Sequence, residues 1–580
     1  MIQSELSTIY SHLIALYGQF TGPAVFERLR AILERYRELP AFRGERQHHI
    51  LSERDSVLII YGDQLRERNT RPLQTLNNFC GQYLSGLVNS IHILPFFPYS
   101  SDDGFSVSNY RAVNPAFGRW DDVSRLGRHF RLMFDAVINH ISVHHEWFQA
   151  FLRDEPRYRD YFIVVDGAPD LSQVVRPRAQ PLLTRFDTDA GPRQVWTTFS
   201  TDQVDLNFKN PDVLLEIIDL LLFYVDHGAE LIRLDAIAYL WKEIGTSCIH
   251  LPQTHRIVRL FRAVLDVLAP HVLLITETNV PHRDNLSYFG DGEDEAQMVY
   301  NFALPPLVLH TFSTGNGAAL SKWAAELTLP SHRTTFFNFL ASHDGIGINP
   351  ARGILSDSEI DGLVERAIRH GGLVSYKDDP SGTPVPYELN INYFDALSHQ
   401  GAQESLSTQV DRFMTAQAIM LALVGVPGIY FHSLFGSRGW RAGVDLTGRN
   451  RSLNRQKFEL PAFEGELMDE SSLRYQVFSR YAQLLVARSA SSAFHPHGEQ
   501  KVLDCGTVIF ALLRVSPDGD QRVLCLHNIS DQTQNATVNW EDVFGLSSGQ
   551  GTDLIDLTDH PLNGSLALQP YQTLWLRIRK

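Results

Sequence analysis

Three apolar, strand-like runs of the sequence each end in a carboxylate residue. Runs of this length followed by a charge are typical of buried parallel strands whose carboxyl ends open into a polar site. In a β/α barrel the chemistry takes place at that end of the strands, with groups supplied by several strands. Two carboxylates facing the anomeric carbon of a sugar are the minimum for breaking or transferring a glycosidic bond, so the pattern predicts this chemistry. The runs are 229–235, 271–277 and 336–344, and they end in Asp235, Glu277 and Asp344.

Eight strand-like runs, separated by helical patterns, organise the sequence from residue 57 onward. This alternation favours an α/β fold, a closed (β/α)8 TIM barrel, over an open doubly wound sheet. No Gly-x-Gly-x-x-Gly motif follows a strand, which removes the main argument for a dinucleotide-binding fold. The predicted strands are 57–61, 91–94, 131–138, 231–235, 272–277, 298–302, 335–342 and 428–432.

Two gaps between predicted strands are too long for a single helix. They follow strands 3 and 7 at the active-site end, so we expect inserted loop domains that shape a pocket. After about residue 490 the pattern alternates with period two, which predicts an all-β C-terminal domain. The expected organisation is 1–50 (N-terminal helical extension), 51–140 (barrel), 141–210 (first inserted domain), 211–348 (barrel), 349–398 (second inserted region), 399–489 (end of the barrel) and 490–580 (C-terminal β domain).

The N-terminal extension contains two amphipathic helical patterns. We expect both helices to pack on the outside of the barrel, with a role in self-association as the alternative. One apolar face comprises Leu6, Ile9, Leu13, Leu16 and Phe20, and the other Phe26, Leu29, Leu33 and Tyr36.

The composition excludes several classes of partner. The 580-residue chain has a formal net charge of −15, which argues against nucleic acid or an anionic membrane but leaves an anionic small substrate possible. Its four cysteines have no metal-ligand or redox spacing. The start of the chain lacks a basic signal region and no apolar run approaches about 20 residues, so we expect a cytoplasmic protein. The sequence leaves the oligomeric state open.

An ordered set of motifs resembles the α-amylase superfamily of retaining α-glucoside enzymes, specifically its sucrose phosphorylase-like branch. The resemblance extends over nearly the whole chain after about residue 50 and implies the same barrel fold. One Arg-x-Asp alone would be weak evidence, but here the motifs occur in the family's order. They are 101–105, 135–140, 233–236, Glu277, 343–344 and 450–455.

The two central carboxylates have distinct expected roles. Residues i and i+2 of a strand point the same way, so Arg233 and Asp235 project together into the site. A guanidinium favours the ionised carboxylate, which suits Asp235 as the nucleophile of a covalent β-glucosyl intermediate. Glu277 emerges from an apolar strand that raises its pKa, so it holds a proton and acts as the acid, then as the base.

The resemblance implies further sugar contacts. Asp344 would bind sugar hydroxyls and stabilise the oxocarbenium-like transition state, with His343 beside it. His140 would contact the rim of the sugar, and Asp102 and Arg451 would close the far edge of the glucose ring.

Several other polar residues are interpreted as structural. Asp135 is expected to brace Arg233 or neighbouring loops, and His92 is taken as an ordinary polar residue. Asn139 marks a calcium position in many amylases, but no matching acidic cluster accompanies it here. We therefore predict neither a metal nor a cofactor.

Phosphorolysis requires cations aimed at a phosphate that enters after the first product leaves. Arg178 resembles the branch's phosphate-contacting residue, and Tyr239 and Tyr387 match positions that line the acceptor site. Glu388 stands where sucrose phosphorylases commonly carry Gln, which suggests a second substrate other than fructose.

The N-terminal extension and the segments 241–250, 275–282 and 341–347 resemble the glucosylglycerate phosphorylase subgroup. This resemblance implies reversible phosphorolysis of 2-O-α-glucosylglycerate, with a sugar, inorganic phosphate and glycerate as small-molecule partners. A cation must then bind the glycerate carboxylate, and Arg438 and Lys377 are the candidates. The alternatives are a sucrose, sucrose 6′-phosphate or glucosylglycerol phosphorylase, an α-glucosidase, and a non-catalytic sugar-binding relative.

Overall fold

The barrel consists of eight parallel strands, and all eight predicted strands are present. The computed structural model describes residues 2–43, 48, 51–378, 383–544, 549–562 and 564–578. Each strand pairs with its neighbours in chain order, and the eighth closes the barrel against the first. The strands are β1 (Val57–Ile60), β2 (Ser90–Ile93), β3 (Arg131–Ala136), β4 (Ala229–Leu234), β5 (Leu273–Thr276), β6 (Met298–Tyr300), β7 (Thr335–Asn338) and β8 (Val426–Tyr430).

The strands are shorter at their carboxyl ends than the apolar runs suggest. β3 ends at Ala136 rather than at residue 138, and β7 ends at Asn338 rather than at residue 342. The strands themselves are buried on both faces, which explains their nearly continuous apolar sequence. The residues beyond them turn over the mouth of the barrel, so Asp235 and Glu277 directly follow β4 and β5.

Helices cover the barrel between its strands. Their N-terminal ends commonly carry Pro or a capping Ser or Asn, as at Pro211 and Ser356. The helices are Ile2–Arg37, Pro72–Tyr83, Trp120–Leu126, Glu146–Leu152, Pro211–Asp226, Pro252–Leu268, His282–Leu286, Leu304–Thr314, Ala318–Ala325, Asp357–Arg369, Tyr393–Leu397, Leu406–Ala422, Phe431–Leu434, Arg441–Thr447, Leu460–Met468, Leu473–Ser489 and Trp540–Phe544.

The N-terminal helix Ile2–Arg37 packs outside the barrel, against the helices Pro252–Leu268 and Pro211–Asp226. It is two helical segments joined at Gly18, whose φ of 78° and ψ of 172° are not helical. This bend redirects the chain, so Phe20 is fully exposed at 100% rather than sharing the buried face. The two predicted helical segments are present, but the prediction was wrong for Phe20, because the first segment was expected to continue past Gly18 to Phe20.

Both long gaps contain small sheets of their own. The segment after β3 has the pairs His140–Ser142 with Gln203–Asp205 and Leu183–Thr188 with Gly191–Trp196. The segment after β7 has a hairpin of Leu373–Asp378 and Pro384–Asn390, edged by Ile346–Gly347. Both segments lie over the carboxyl ends of the barrel strands.

The C-terminal part is a six-stranded antiparallel sheet with a separate two-stranded pair and one short helix. Alternate residues of Ile509–Val515 enter two cores: Phe510 and Leu512 join the barrel core, while Ile509 and Leu513 join a core within the sheet. The remaining strands are Leu65–Arg66, Phe458–Glu459, Glu499–Leu503, Arg522–Asn528, Gln534–Thr537, Gln550–Asp553, Asp559–Pro561, Ser565–Leu568 and Thr573–Ile578.

In the described part of the chain, no helix combines the length and the apolar character needed to cross a membrane.

Candidate active site

A small cavity at the carboxyl ends of the barrel strands gathers most of the predicted site residues. Its volume is about 60 Å³, and charged, polar and aromatic side chains line it. The predicted residues that line it are Asp102, His140, Arg178, Asp235, Glu277, His343, Asp344, Tyr387 and Arg451.

Arg233 organises the floor of the site. Its Nη1 donates to Asp235 Oδ1 at 2.7 Å and to Asp135 Oδ1 at 2.5 Å. The guanidinium also lies 5.7 Å from the ring centroid of Phe105 and 5.5 Å from that of Tyr300. These contacts fix its plane, so Arg233 holds the Asp235 carboxylate in position without lining the cavity itself.

Asp135 is fully buried and has a second partner on a neighbouring strand. His92 Nε2 lies 2.7 Å from Asp135 Oδ2. Although burial opposes ionisation, His92 and Arg233 lower the pKa of Asp135 to about 2. His92 therefore belongs to the Asp135–Arg233 network, which the sequence did not indicate.

Asp235 and Glu277 are buried carboxylates that compete for the same cation. Burial raises the pKa of both, and Arg233 opposes that rise. Asp235 lies 2.7 Å from the guanidinium, whereas Glu277 Oε2 lies 4.0 Å from Arg233 Nη2. The nearer carboxylate gains more from the positive charge, so a proton shared by the pair resides on Glu277.

The backbone after β4 also contacts the second carboxylate. The amide N–H of Ala236 donates to Glu277 Oε2 at 3.0 Å. Ala236 has a φ of 49° and a ψ of 31°, a left-handed conformation that is strained for a residue with a Cβ. This strained turn places the two carboxylates on the same side of the barrel mouth.

Asp344 is held by arginines that follow β8. Arg451 Nη1 lies 2.5 Å from Asp344 Oδ1, and Arg455 Nη2 lies 3.6 Å from the same oxygen. Against the cost of burial, these two arginines lower the pKa of Asp344. Asp344 is therefore ionised where Glu277 is protonated.

Asp102 and Arg451, the two residues expected to close the far edge of the glucose ring, both line the cavity. Arg455 Nη1 contacts Asp102 Oδ1 at 3.4 Å and Asp103 Oδ2 at 2.7 Å. Arg455 therefore holds Asp102 and Asp103 beside the cavity. It was not among the predicted site residues, although it belongs to the motif 450–455.

The two predicted histidines are neutral because burial lowers the pKa of each. His140 Nε2 contacts the backbone oxygen of Phe105 at 3.0 Å, and its Nδ1 lies 3.2 Å from Asn139 Nδ2. Both nitrogens of His140 are thus engaged within the fold, and the residue lines the cavity. His343 stacks on the Phe105 ring at 4.6 Å.

Three residues of the cavity have buried polar atoms without a hydrogen-bond partner among the described residues: His343 Nδ1, Asn279 Oδ1 and Asp344 Oδ1, the last of which forms ion pairs with Arg451 and Arg455. A bound sugar, rich in hydroxyl groups, would satisfy such atoms. Asn279 was not predicted, although it stands two residues after Glu277.

The side of the cavity nearest the insertions is formed by Arg178 and Tyr387. The Arg178 guanidinium lies 5.8 Å from the Tyr387 ring centroid, and Asn279 Nδ2 donates to Tyr387 Oη at 3.4 Å. Tyr239 lies behind this wall, with its ring 5.6 Å from that of Phe199. Phe199 and Gln203 line the cavity from the first insertion and carried no signal in the sequence.

Arg438 does not line the cavity, which corrects its interpretation as a glycerate-binding residue. Its Nη1 donates to Asp395 Oδ1 at 2.6 Å and its Nη2 to Gln409 Oε1 at 2.6 Å. The guanidinium also packs over Phe394. Both terminal nitrogens of the guanidinium donate to other residues of the fold, so Arg438 is a structural residue.

Asn139 contacts a buried ammonium group. Lys242 Nζ donates to Asn139 Oδ1 at 2.7 Å and lies 2.5 Å from Asp205 Oδ2. Among the described residues, no group of three or more His, Cys, Asp or Glu side chains is arranged to hold a metal ion.

Comparison with known proteins gives concordant results. The family model "Alpha amylase, catalytic domain" matches residues 81–345. A glucosylglycerate phosphorylase from Spirochaeta thermophila is 50% identical over 97% of this chain and 97% of its own. A sucrose phosphorylase from Agrobacterium vitis is 29% identical over 78% of this chain and 91% of its own. The crystal structure of sucrose 6F-phosphate phosphorylase from Thermoanaerobacter thermosaccharolyticum covers 82% of this chain and 94% of that chain, with 25% identity and a TM-score of 0.72.

Proposed function

Since the chain belongs to the glucosylglycerate phosphorylase family, whose catalytic domain is of the α-amylase type, we propose that it catalyses the reversible phosphorolysis of 2-O-α-D-glucosyl-D-glycerate. The products are α-D-glucose 1-phosphate and D-glycerate. The enzyme is thus a glycoside phosphorylase, which transfers a hexosyl group. The observation that carries this function is identity of 50% over 97% of the chain, against 29% to a sucrose phosphorylase.

The first half-reaction uses the buried carboxylate pair. Asp235, aligned by Arg233, attacks the anomeric carbon and forms a β-glucosyl ester. The bond between that carbon and the glycerate oxygen breaks, and the proton of Glu277 passes to the leaving oxygen. Asp344, kept ionised by Arg451 and Arg455, stabilises the positive charge that develops on the sugar.

In the second half-reaction phosphate replaces glycerate. A phosphate oxygen attacks the anomeric carbon, the ester to Asp235 breaks, and a phosphate proton returns to Glu277. Arg178 lines the cavity on its acceptor side and would bind the phosphate charge. Two inversions give net retention, so the product is the α-phosphate.

Glu388 acts on the sugar site through Arg451. It is buried with 1% exposure, and it accepts from Arg451 Nε at 3.1 Å and Nη2 at 2.6 Å. Gln cannot form this ion pair, because its side-chain amide is neutral. The cytoplasmic location stays a prediction.

The test is product analysis with 2-O-α-glucosylglycerate and inorganic phosphate, using phosphorus and proton NMR. The proposed function predicts α-glucose 1-phosphate and glycerate in equal amounts. An Asp235→Asn variant should lower turnover by more than about 10⁴-fold, because no ester can form. Free glucose as the main product, or activity retained by the variant, would contradict the proposal.

A further inference from the structure

A second cavity lies outside the catalytic one and is lined mainly by the two insertions. Its volume is about 550 Å³, much larger than that of the inner cavity. Its charged lining residues are Arg176, Arg352, Lys377 and Asp378. We call it the outer cavity. Three cations against one carboxylate give it a positive balance in a chain with a net charge of −15.

The two cavities adjoin across Tyr387. The Lys377 ammonium lies 5.8 Å from the Tyr387 ring centroid, the same distance as the Arg178 guanidinium. Arg176 lines the outer cavity and Arg178 the inner one, so a single tripeptide supplies one arginine to each. A small anion in the outer cavity is therefore next to the residues of the acceptor side.

The cations of the outer cavity are not neutralised within the described part of the chain. The Lys377 ammonium has no hydrogen bond or ion pair with the described residues, and the buried Nε of Arg176 has no acceptor among them. The Arg352 guanidinium contacts Asp357 at 3.3 Å, and that carboxylate is 92% exposed. Burial and the charge of Arg352 lower the pKa of Lys377. A bound anion would favour the charged ammonium and so oppose this fall in pKa.

The inner cavity has the opposite electrostatic character. Four carboxylates line it, from Asp102, Asp235, Glu277 and Asp344, together with two arginines. Phosphate and glycerate are both anions that must approach these carboxylates. The positive charge of the outer cavity raises the local concentration of both anions before they enter the inner cavity.

We propose that the outer cavity is an oxyanion-binding antechamber, in which Lys377, Arg352 and Arg176 bind phosphate and the glycerate carboxylate before either reaches the glucosyl-enzyme. The inference rests on the proposed function for the identity of the second anion. One site then serves both half-reactions, because both acceptors carry an oxyanion on a small body.

The test compares Lys377→Ala and Arg352→Ala with a control variant, Lys322→Ala, which removes an exposed lysine from the helix Ala318–Ala325. The apparent KM is measured for phosphate with glucosylglycerate as donor, and for D-glycerate with α-glucose 1-phosphate as donor. Loss of one charge-assisted contact should raise both KM values about tenfold in each variant, with kcat at saturation little changed. Lys322→Ala should behave as wild type.

Hydrolysis of α-glucosyl fluoride separates this role from a structural one, because neither donor nor water is an oxyanion. Its rate should be unchanged in all variants, and Lys377→Arg should restore most of the affinity for both anions. Unchanged KM values, or a rise for only one anion, would overturn the shared antechamber. If the wild-type enzyme does not use glycerate, the proposed function fails, whereas the phosphate KM still decides whether the outer cavity binds that anion.

Discussion

Arg451 joins Asp344 and Glu388 through the two ends of one guanidinium. Its Nη1 lies 2.5 Å from Asp344 Oδ1, and its Nη2 lies 2.6 Å from Glu388 Oε2. Asp344 lines the catalytic cavity, whereas Glu388 is buried behind Arg451. Glu388 therefore acts on the sugar site by positioning Arg451, and through it Asp344.

Replacing Glu388 by Gln should weaken this chain of contacts. The neutral amide retains the shape but loses the charge, so it holds Arg451, and through Arg451 also Asp344, less firmly. We expect kcat/KM for phosphorolysis to fall by about 10- to 100-fold, from a loss of ~1.5–3 kcal/mol. Steady-state kinetics together with the thermal midpoint check this, and the matched Glu365→Gln, an exposed helical carboxylate, should change neither quantity. Wild-type kinetics in Glu388→Gln would contradict the role of Glu388 in positioning Arg451 and Asp344.

The pH dependence should reveal the proton on Glu277. Burial raises its pKa, and the acid form is the one needed to protonate the leaving oxygen. Therefore kcat/KM for glucosylglycerate should fall as the pH rises through this raised pKa.

α-Glucosyl fluoride is the matched control for this pH dependence, because fluoride leaves without full protonation. Its pH profile should lack most of the alkaline decline, and Glu277→Gln should retain far more activity on the fluoride than on glucosylglycerate. Equal loss on both donors would exclude Glu277 as the acid.

Arg178→Ala should raise the KM for phosphate about 10- to 100-fold, because a charge-assisted contact to the phosphate is removed. Formation of the glucosyl-enzyme should be much less affected, and rapid-quench measurement of the first half-reaction would show this. A burst rate that falls as far as kcat/KM for phosphate would place Arg178 in the first step instead.

The Arg438→Ala variant tests whether Arg438 stabilises the fold or binds glycerate. The substitution leaves Asp395 without its guanidinium partner, so the thermal midpoint should fall while the KM for glycerate stays within about twofold of wild type. Calorimetry and acceptor kinetics provide the two readings. A selective rise of the glycerate KM at unchanged stability would contradict the position of Arg438 outside the cavity.

Residues on regular strands were predictable, since periodicity fixes their direction. The pair Arg233–Asp235 and the positions of Asp235 and Glu277 at strand ends follow from alternation and from the barrel rule. Asp135 was expected to brace Arg233 or neighbouring loops, and the structure places it opposite Arg233 on the neighbouring strand.

Residues on loops were predictable only where a family motif covered them. Arg438 follows β8 in an irregular segment, and its side chain turns to Asp395, a residue 43 positions away in the sequence. Phe199 and Gln203 reach the cavity through the folding of the first insertion, which no local pattern specifies. Phe20 was misplaced because the bend at Gly18 depends on the backbone conformation of one residue.

The most direct test of the proposed function is inorganic phosphate release from α-glucose 1-phosphate with D-glycerate, glycerol, fructose, fructose 6-phosphate or water as acceptor. We expect release stimulated chiefly by D-glycerate, with 2-O-α-glucosylglycerate as the product. Release chiefly with fructose or its phosphate, or equal release with water alone, would contradict it.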